Sequence, residues 1–213
     1  MSAPALPFVG VYRITEWRNL AHILEYGIFA TNHVREVREG YVFIGDEHLT
    51  NRRARKPVKA PATGVLGDYV PFYFGKRSPM LYTLVRKGWA EERDVIYLLV
   101  KIQSLIDHSR EFCFTDGHAS KDITTFYTDL ADLRELDVTA INARKWAKVP
   151  DDPDATRRKS AELLVKYHVP AACISGIAVK DERQLNNVKQ IVSKSGLPDL
   201  PVAIRGDDYY YDL

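Results

Sequence analysis

Cysteine and methionine are scarce, two of each in 213 residues, and the shortage of cysteine excludes a disulfide framework. Cys113 and Cys173 lie in the apolar runs FCFTD and AACISGIAV, without CxxC or histidine spacing, so no zinc site is expected and both read as buried thiols. No apolar stretch approaches the ~20 residues of a membrane helix. The start, MSAPALPFVG, lacks the basic flank and long apolar core of a signal peptide, so the expected compartment is the cytosol, with no membrane partner. Charge of one sign is missing too: 30 basic residues against 28 acidic ones leave +2, which excludes a histone-like polycation. Any nucleic-acid site must then arise from local clustering. There is no GxGxxG, GxxxxGK[ST], HExxH or GxSxG, which argues against a Rossmann dehydrogenase, a phosphate-loop ATPase and a zinc protease.

What is present is enough chain for a core of its own, read as one domain over residues 1–213. Strands are expected at 7–14, 41–45, 68–75, 95–102 and 112–115, in AELLVKYHVP and CISGIAVKD, and at PVAIR. Helices are expected at 17–27, in SPMLYTLVRKG behind a Ser78-Pro79 cap, at 120–136 and in ERQLNNVKQIVSKSG. Residues 137–159 read as a long polar loop, the kind of segment that carries function more often than packing.

Several residues stand out from this pattern. Glu162 is the last charge before an apolar run, which admits either a solvated strand opening or a carboxylate facing a cleft. Arg13 interrupts the apolar run FVGVYRIT, close to Thr15. If it points inward it needs a partner or a ligand, and strand alternation equally allows it to face solvent. Tyr73 and Tyr82 are spaced to bracket a flat ring, although aromatic core packing explains them as well. Segment 52–59 holds five basic residues, Arg52 and Arg53 among them, and no acidic one. A second basic segment carries Arg144, Lys145, Trp146, Lys148, Arg157, Arg158 and Lys159. Basic residues with aromatic company are what a groove for single-stranded nucleic acid requires. His118 follows in Asp116-Gly117-His118.

Four motifs in order, NRRARKPV, DYVPFYFGKRSPMLY, FTDGHAS and DDPDATRRKSAELLVKYHVP, make the chain resemble the DarT family of ADP-ribosyltransferase toxins over about residues 11–205. That resemblance implies an α+β fold, the ADP-ribosyltransferase split-sheet core with flanking helices. It implies NAD consumed as a substrate, no metal, and transfer of ADP-ribose to a base, thymidine, in single-stranded DNA. It also implies a cognate antitoxin of the ADP-ribosylhydrolase type, and monomer is the default state. By the same resemblance Glu162 and Arg53 are catalytic. Arg13, Thr15, Arg52, Arg53, Tyr73 and Tyr82 are the NAD contacts, and His118, Arg144, Trp146, Lys148, Arg157 and Arg158 the DNA contacts. Either Glu162 or His118 serves as the base. Arg53→Ala is expected to abolish activity with the fold intact. Arg13 stands where relatives have histidine, which keeps open a weakly active or non-catalytic binder of single strands. A transferase acting on RNA or protein is the other alternative.

Overall fold

The structure, a computed structural model, describes residues 7–34, 40–108, 110–146 and 149–209. An eight-stranded sheet runs through it in the order β10-β9-β4-β1-β3-β7-β5-β6, antiparallel except where β9 (Ile174–Val179) meets β10 (Val202–Ile204). At its centre are β4 (Val95–Lys101), β1 (Gly10–Glu16), β3 (Tyr69–Tyr73) and β7 (Glu162–Lys166), followed by β5 (Phe112–Thr115) and β6 (Phe126–Tyr127). A separate two-stranded ribbon joins β2 (Ile28–Phe29) to β8 (His168–Val169). β4 is apolar nearly throughout because both of its faces are covered, and Val95, Ile96, Tyr97, Leu98 and Val100 are all buried. The principal core joins its Ile96, Leu98 and Val100 to Val11, Val70, Phe72, Leu163 and Val165, with helix α1 (Leu20–Tyr26) contributing Leu20, Ile23 and Leu24. Among the described residues no helix is long and apolar enough to cross a membrane.

The sheet is split between β1 and β3. β1 pairs with β4 over seven positions but with β3 at a single one, Tyr12 opposite Tyr73. Pro71 is part of the reason: it lacks an N–H, so β3 cannot complete a ladder at that point. Instead the Arg13 guanidinium crosses the gap and donates Nη1–H to the Pro71 carbonyl at 2.9 Å. β3 keeps its alternation beside the split, with Val70 and Phe72 in the core and Tyr69, Pro71 and Tyr73 turned to the opening.

Three local expectations are corrected. Residues 41–45 are not a strand; the Asn19 carboxamide satisfies the Val42 backbone in both directions, at 2.8 Å each, and so replaces a neighbouring strand. Residues 120–136 are not one helix. Phe126 pairs with Thr115, and Asp129 caps a 3-10 turn over Leu130–Glu135, because the Thr124 hydroxyl and the Thr125 N–H are bonded to the distant 116–118 loop. The long loop 137–159 contains two short helices, α5 (Val138–Asn142), capped by Asp137, and α6 (Ala155–Lys159). The unassigned stretch before residue 56 is helix α2 (Glu47–Arg55), started by Asp46, whose carboxylate accepts Leu49 N–H at 3.0 Å. Its basic last turn suits the negative end of the helix dipole. Helix α3 (Pro79–Arg86), capped by Ser78, and α7 (Glu182–Ser193) lie where the periodicity puts them, and α4 (Ile102–Asp107) follows β4 directly.

Candidate active site

Glu162 opens β7 directly opposite Tyr73 of β3, and this register places its carboxylate at the split in the sheet. α2 brings Arg53 to the same point. Gly67 permits this approach: a Cβ there would lie 2.6 Å from the Ala54 Cα, so only glycine lets the 66–68 turn press on the helix. The guanidinium grips the carboxylate with both arms, Nη1 to Oε1 at 3.1 Å and Nη2 to Oε2 at 2.7 Å. The Ala119 N–H adds a bond to Oε1 at 2.9 Å. Burial is the largest influence on Glu162 and pushes its pKa up, but Arg53, His118 and the Ala119 N–H outweigh it and hold the carboxyl below its usual value. Burial also lowers Arg53, yet Glu162 leaves it raised overall. The pair is charged at neutral pH. Each carboxylate oxygen has two lone pairs. Oε1 spends both, on Arg53 and Ala119, so Oε2 is the oxygen with one left for a ligand.

The Ala119 donor is carried by a tied loop. Asp116 accepts from Thr125 N–H and Arg157 Nη1–H, both at 2.9 Å, and the Thr115 hydroxyl donates to the Gly117 carbonyl at 2.7 Å. At Gly117 a Cβ would sit 2.4 Å from Arg157 Nη1, so the side chain that holds this loop demands glycine there. His118 lies beside the carboxylate, with Nδ1 3.7 Å from Glu162 Oε1. Its Nδ1 accepts the Ser120 N–H at 3.1 Å, which leaves the proton of the neutral ring on Nε2. Burial, the largest influence, lowers the His118 pKa. Glu162 opposes it and Arg53, Lys121 and Arg52 reinforce it, so the ring is neutral at pH 7. Of the two bases expected, His118 thus presents a donor, Nε2–H, while Glu162 presents an ionised carboxylate.

Around this centre a cleft of about 400 Å³ opens, with Arg13, Thr15, Tyr73, His118 and Glu162 in its walls. Residues 41–45, pinned by Asn19, form a further wall, and Trp89 contributes another aromatic surface. Arg13 has no carboxylate within ion-pair distance among the described residues, and burial lowers its pKa. A cation so placed calls for an anionic ligand. Among the described residues no three metal-ligating side chains gather.

The other expected contacts divide. Arg52 is exposed on α2 and does not line the cleft. Tyr82 is also off the cleft wall: its ring meets Trp146 edge to face at 5.4 Å. Trp146 is buried, 7% exposed, so it offers no free face for a base. Trp146→Ala is accordingly expected to destabilise the fold by about 3 kcal/mol, read as a fall in melting temperature, in place of a simple loss of DNA affinity. Arg157 is bound to Asp154 at 2.7 and 2.8 Å and to Asp116; Arg158 is held by Asp152 at 2.5 Å and Asp154 at 3.4 Å. Both work as internal clamps because the polar loop supplies their carboxylates. Arg144 is exposed, and Lys148 lies outside the described residues. Sequence reasoning missed Asn19, Thr115 and the Ala119 N–H. A backbone donor carries no side-chain signal, whereas Asn19 was visible as a polar residue entering an apolar helix.

A profile described as "ssDNA thymidine ADP-ribosyltransferase, DarT" matches residues 12–211. The chain belongs to the DarT family. It is thereby an NAD-dependent DNA ADP-ribosyltransferase. A DNA ADP-ribosyl transferase of Thermus sp. (strain 2.9) is 35% identical over 94% of this chain and 95% of its own length. Structures of the Thermus sp. 2.9 DarT superpose well. The complex with ADP-ribosylated ssDNA gives a TM-score of 0.85 at 33% identity, covering 99% of this chain and 100% of that one. The complex with NAD+ gives 0.80 at 32%, covering 96% and 98%. A DNA ADP-ribosyl transferase–DNA ADP-ribosyl glycohydrolase fusion protein of Thermosipho africanus is 25% identical over 91% of this chain and 48% of the fusion. The expected α+β split-sheet class, the family and NAD as substrate all hold.

Proposed function

We propose that this DarT protein, acting as one domain and as a monomer in the cytosol, transfers ADP-ribose from NAD to a thymine of single-stranded DNA, with Glu162 as its catalytic carboxylate. The observation that carries this reading is the Glu162–Arg53 pair in the wall of the cleft, with Oε2 still able to accept a bond. Breaking the nicotinamide–ribose bond puts positive charge on C1 and the ring oxygen of the sugar, as in glycoside hydrolysis. Glu162 faces that charge, and through Oε2 it accepts first a ribose hydroxyl and then the thymine imide proton. Arg53 aims the carboxylate and keeps it ionised. Arg13 sits where it can bond the pyrophosphate, and Tyr73 borders the nicotinamide. The neutral His118 presents its Nε2–H to a carbonyl of the acceptor base. A single strand suits the acceptor, since a duplex hides the imide edge. A toxin of this kind needs an antitoxin that removes the mark, and the Thermosipho fusion supports a hydrolase in that role.

Incubation with NAD and a thymine-containing oligonucleotide, followed by mass spectrometry, should show the mass of one ADP-ribose on the DNA. Label on RNA or protein instead, or binding without transfer, would overturn the reading. The pKa directions add a prediction. Glu162 is lowered from 4.5 and His118 from 6.5, so both are in their working forms at pH 6.5 and above. kcat/KM for NAD should therefore stay level from pH 8 down to 6.5, and the limb belonging to Glu162 should appear only below 4.5. The stability contributed by its ion pair follows the same sign: it is present above the unfolded carboxyl value and lost as pH falls through the lowered one. An inflection in kcat/KM for NAD between pH 6.5 and 8, measured with the oligonucleotide saturating, would contradict this assignment.

A further inference from the structure

Beside the catalytic cleft lies a second cavity of about 460 Å³, bordered by Tyr12, Lys76, Arg77, Arg144, Lys159 and Asp207. The two hollows have no lining residue in common, but their walls are neighbours along the chain. Pro79 and Ser160 face the cleft, while Arg77 and Lys159, a residue or two earlier in the chain, face the cavity. Four basic side chains meet two aspartates there. Asp208 is engaged by Lys76 at 3.0 Å, and Asp207 is met by Arg144 only at 3.8 Å, between side chains 68% and 88% exposed. Arg144 can exchange that contact at little cost. Lys159 is the unusual group. It is 2% exposed, has no carboxylate within ion-pair distance among the described residues, and gives its described hydrogen bond to the Ile141 carbonyl at 2.5 Å. An ammonium has three donors and no reason to be buried beside other cations unless something anionic joins it. Burial, with a contribution from Arg77, lowers its pKa to about 8, so most of it is still charged at pH 7.

We propose that this cavity is a phosphate subsite for the single-stranded DNA, in which Lys159 and Arg144 hold a phosphodiester adjoining the modified base. The inference rests on DNA being the acceptor. Lys159 precedes Glu162 by three residues, so their Cα atoms are at most about 11 Å apart, within reach of the phosphates next to a base held at the carboxylate. The NAD pyrophosphate shares this chemistry, but it has its own cation in Arg13 on the cleft side.

The test compares the parent with Lys159→Met and Lys159→Arg, using a short thymine-containing oligonucleotide and, separately, NAD. Lys159→Met should bind the oligonucleotide about tenfold more weakly at low salt. Its plot of log affinity against log salt should be shallower by about 1, as expected for one lost phosphate contact. Lys159→Arg should keep most of the affinity. The affinity for NAD and the melting temperature should not fall in either variant. Oligonucleotides bearing one neutral methylphosphonate, moved along the strand, should weaken the parent at one position beside the target and weaken Lys159→Met no further there. Unchanged DNA affinity and salt slope in Lys159→Met, equal methylphosphonate losses in both proteins, or a loss confined to NAD would each overturn the subsite. If the parent itself transfers nothing to DNA, the reading of the acceptor fails first, and that result is seen before any variant is made.

Discussion

Glu162→Gln is expected to lower ADP-ribose transfer by at least about 100-fold, measured as single-turnover label on DNA, because a preorganised charge at the reacting carbon contributes about 3–4 kcal/mol in a water-poor site. The substitution keeps the volume and one acceptor oxygen but not the charge. It also places an amide donor against a donor already present, an Arg53 N–H on one side or Arg53 and the Ala119 N–H on the other, so some stability goes with the activity. NAD affinity should change far less than the rate, since Arg13 and the aromatic walls are untouched. Retention of full transfer by Glu162→Gln would remove the carboxylate from the chemistry.

Arg53→Ala is expected to do two things at once, which revises the sequence-based expectation of an intact fold. It abolishes transfer, and it leaves the Glu162 carboxylate buried without its cation. Removing one partner of such a pair costs about 3–5 kcal/mol. For a protein of this size, that corresponds to a melting temperature lower by about 6–20 °C. The structural and catalytic contributions separate in the double variant Arg53→Met with Glu162→Leu. An apolar pair of similar volume replaces the ion pair at little or no cost in stability. The double variant should melt near the parent and transfer nothing. If it regained activity together with stability, the pair would be a scaffold only; if it melted as low as Arg53→Ala, the loss would come from packing and not from the stranded charge.

Much of this architecture was legible without coordinates. β4, β5, β7, β9, α1, α3 and α7 follow from hydrophobic period and capping residues, because their burial is set by neighbours in the same local pattern. The elements that were misread are those whose backbone bonds go to distant partners. Residues 41–45 lose their strand to the Asn19 side chain, and residues 120–136 lose their helix to loop 116–118 and to β5.

The division at the site has the same origin. Four motifs in order were sufficient to identify the family and to point to Glu162 and Arg53 as candidates, which the fold brings into one ion pair. Which of the remaining cations meet a carboxylate was settled by folding. Arg157 and Arg158 found aspartates, Trp146 found Tyr82, and among the described residues Arg13 and Lys159 were left with no carboxylate within ion-pair distance. A charged side chain reads identically in sequence whether it clamps a loop or waits for a phosphate. The difference lies in which opposite charges the fold brings within about 4 Å of it, and that is a property of three dimensions.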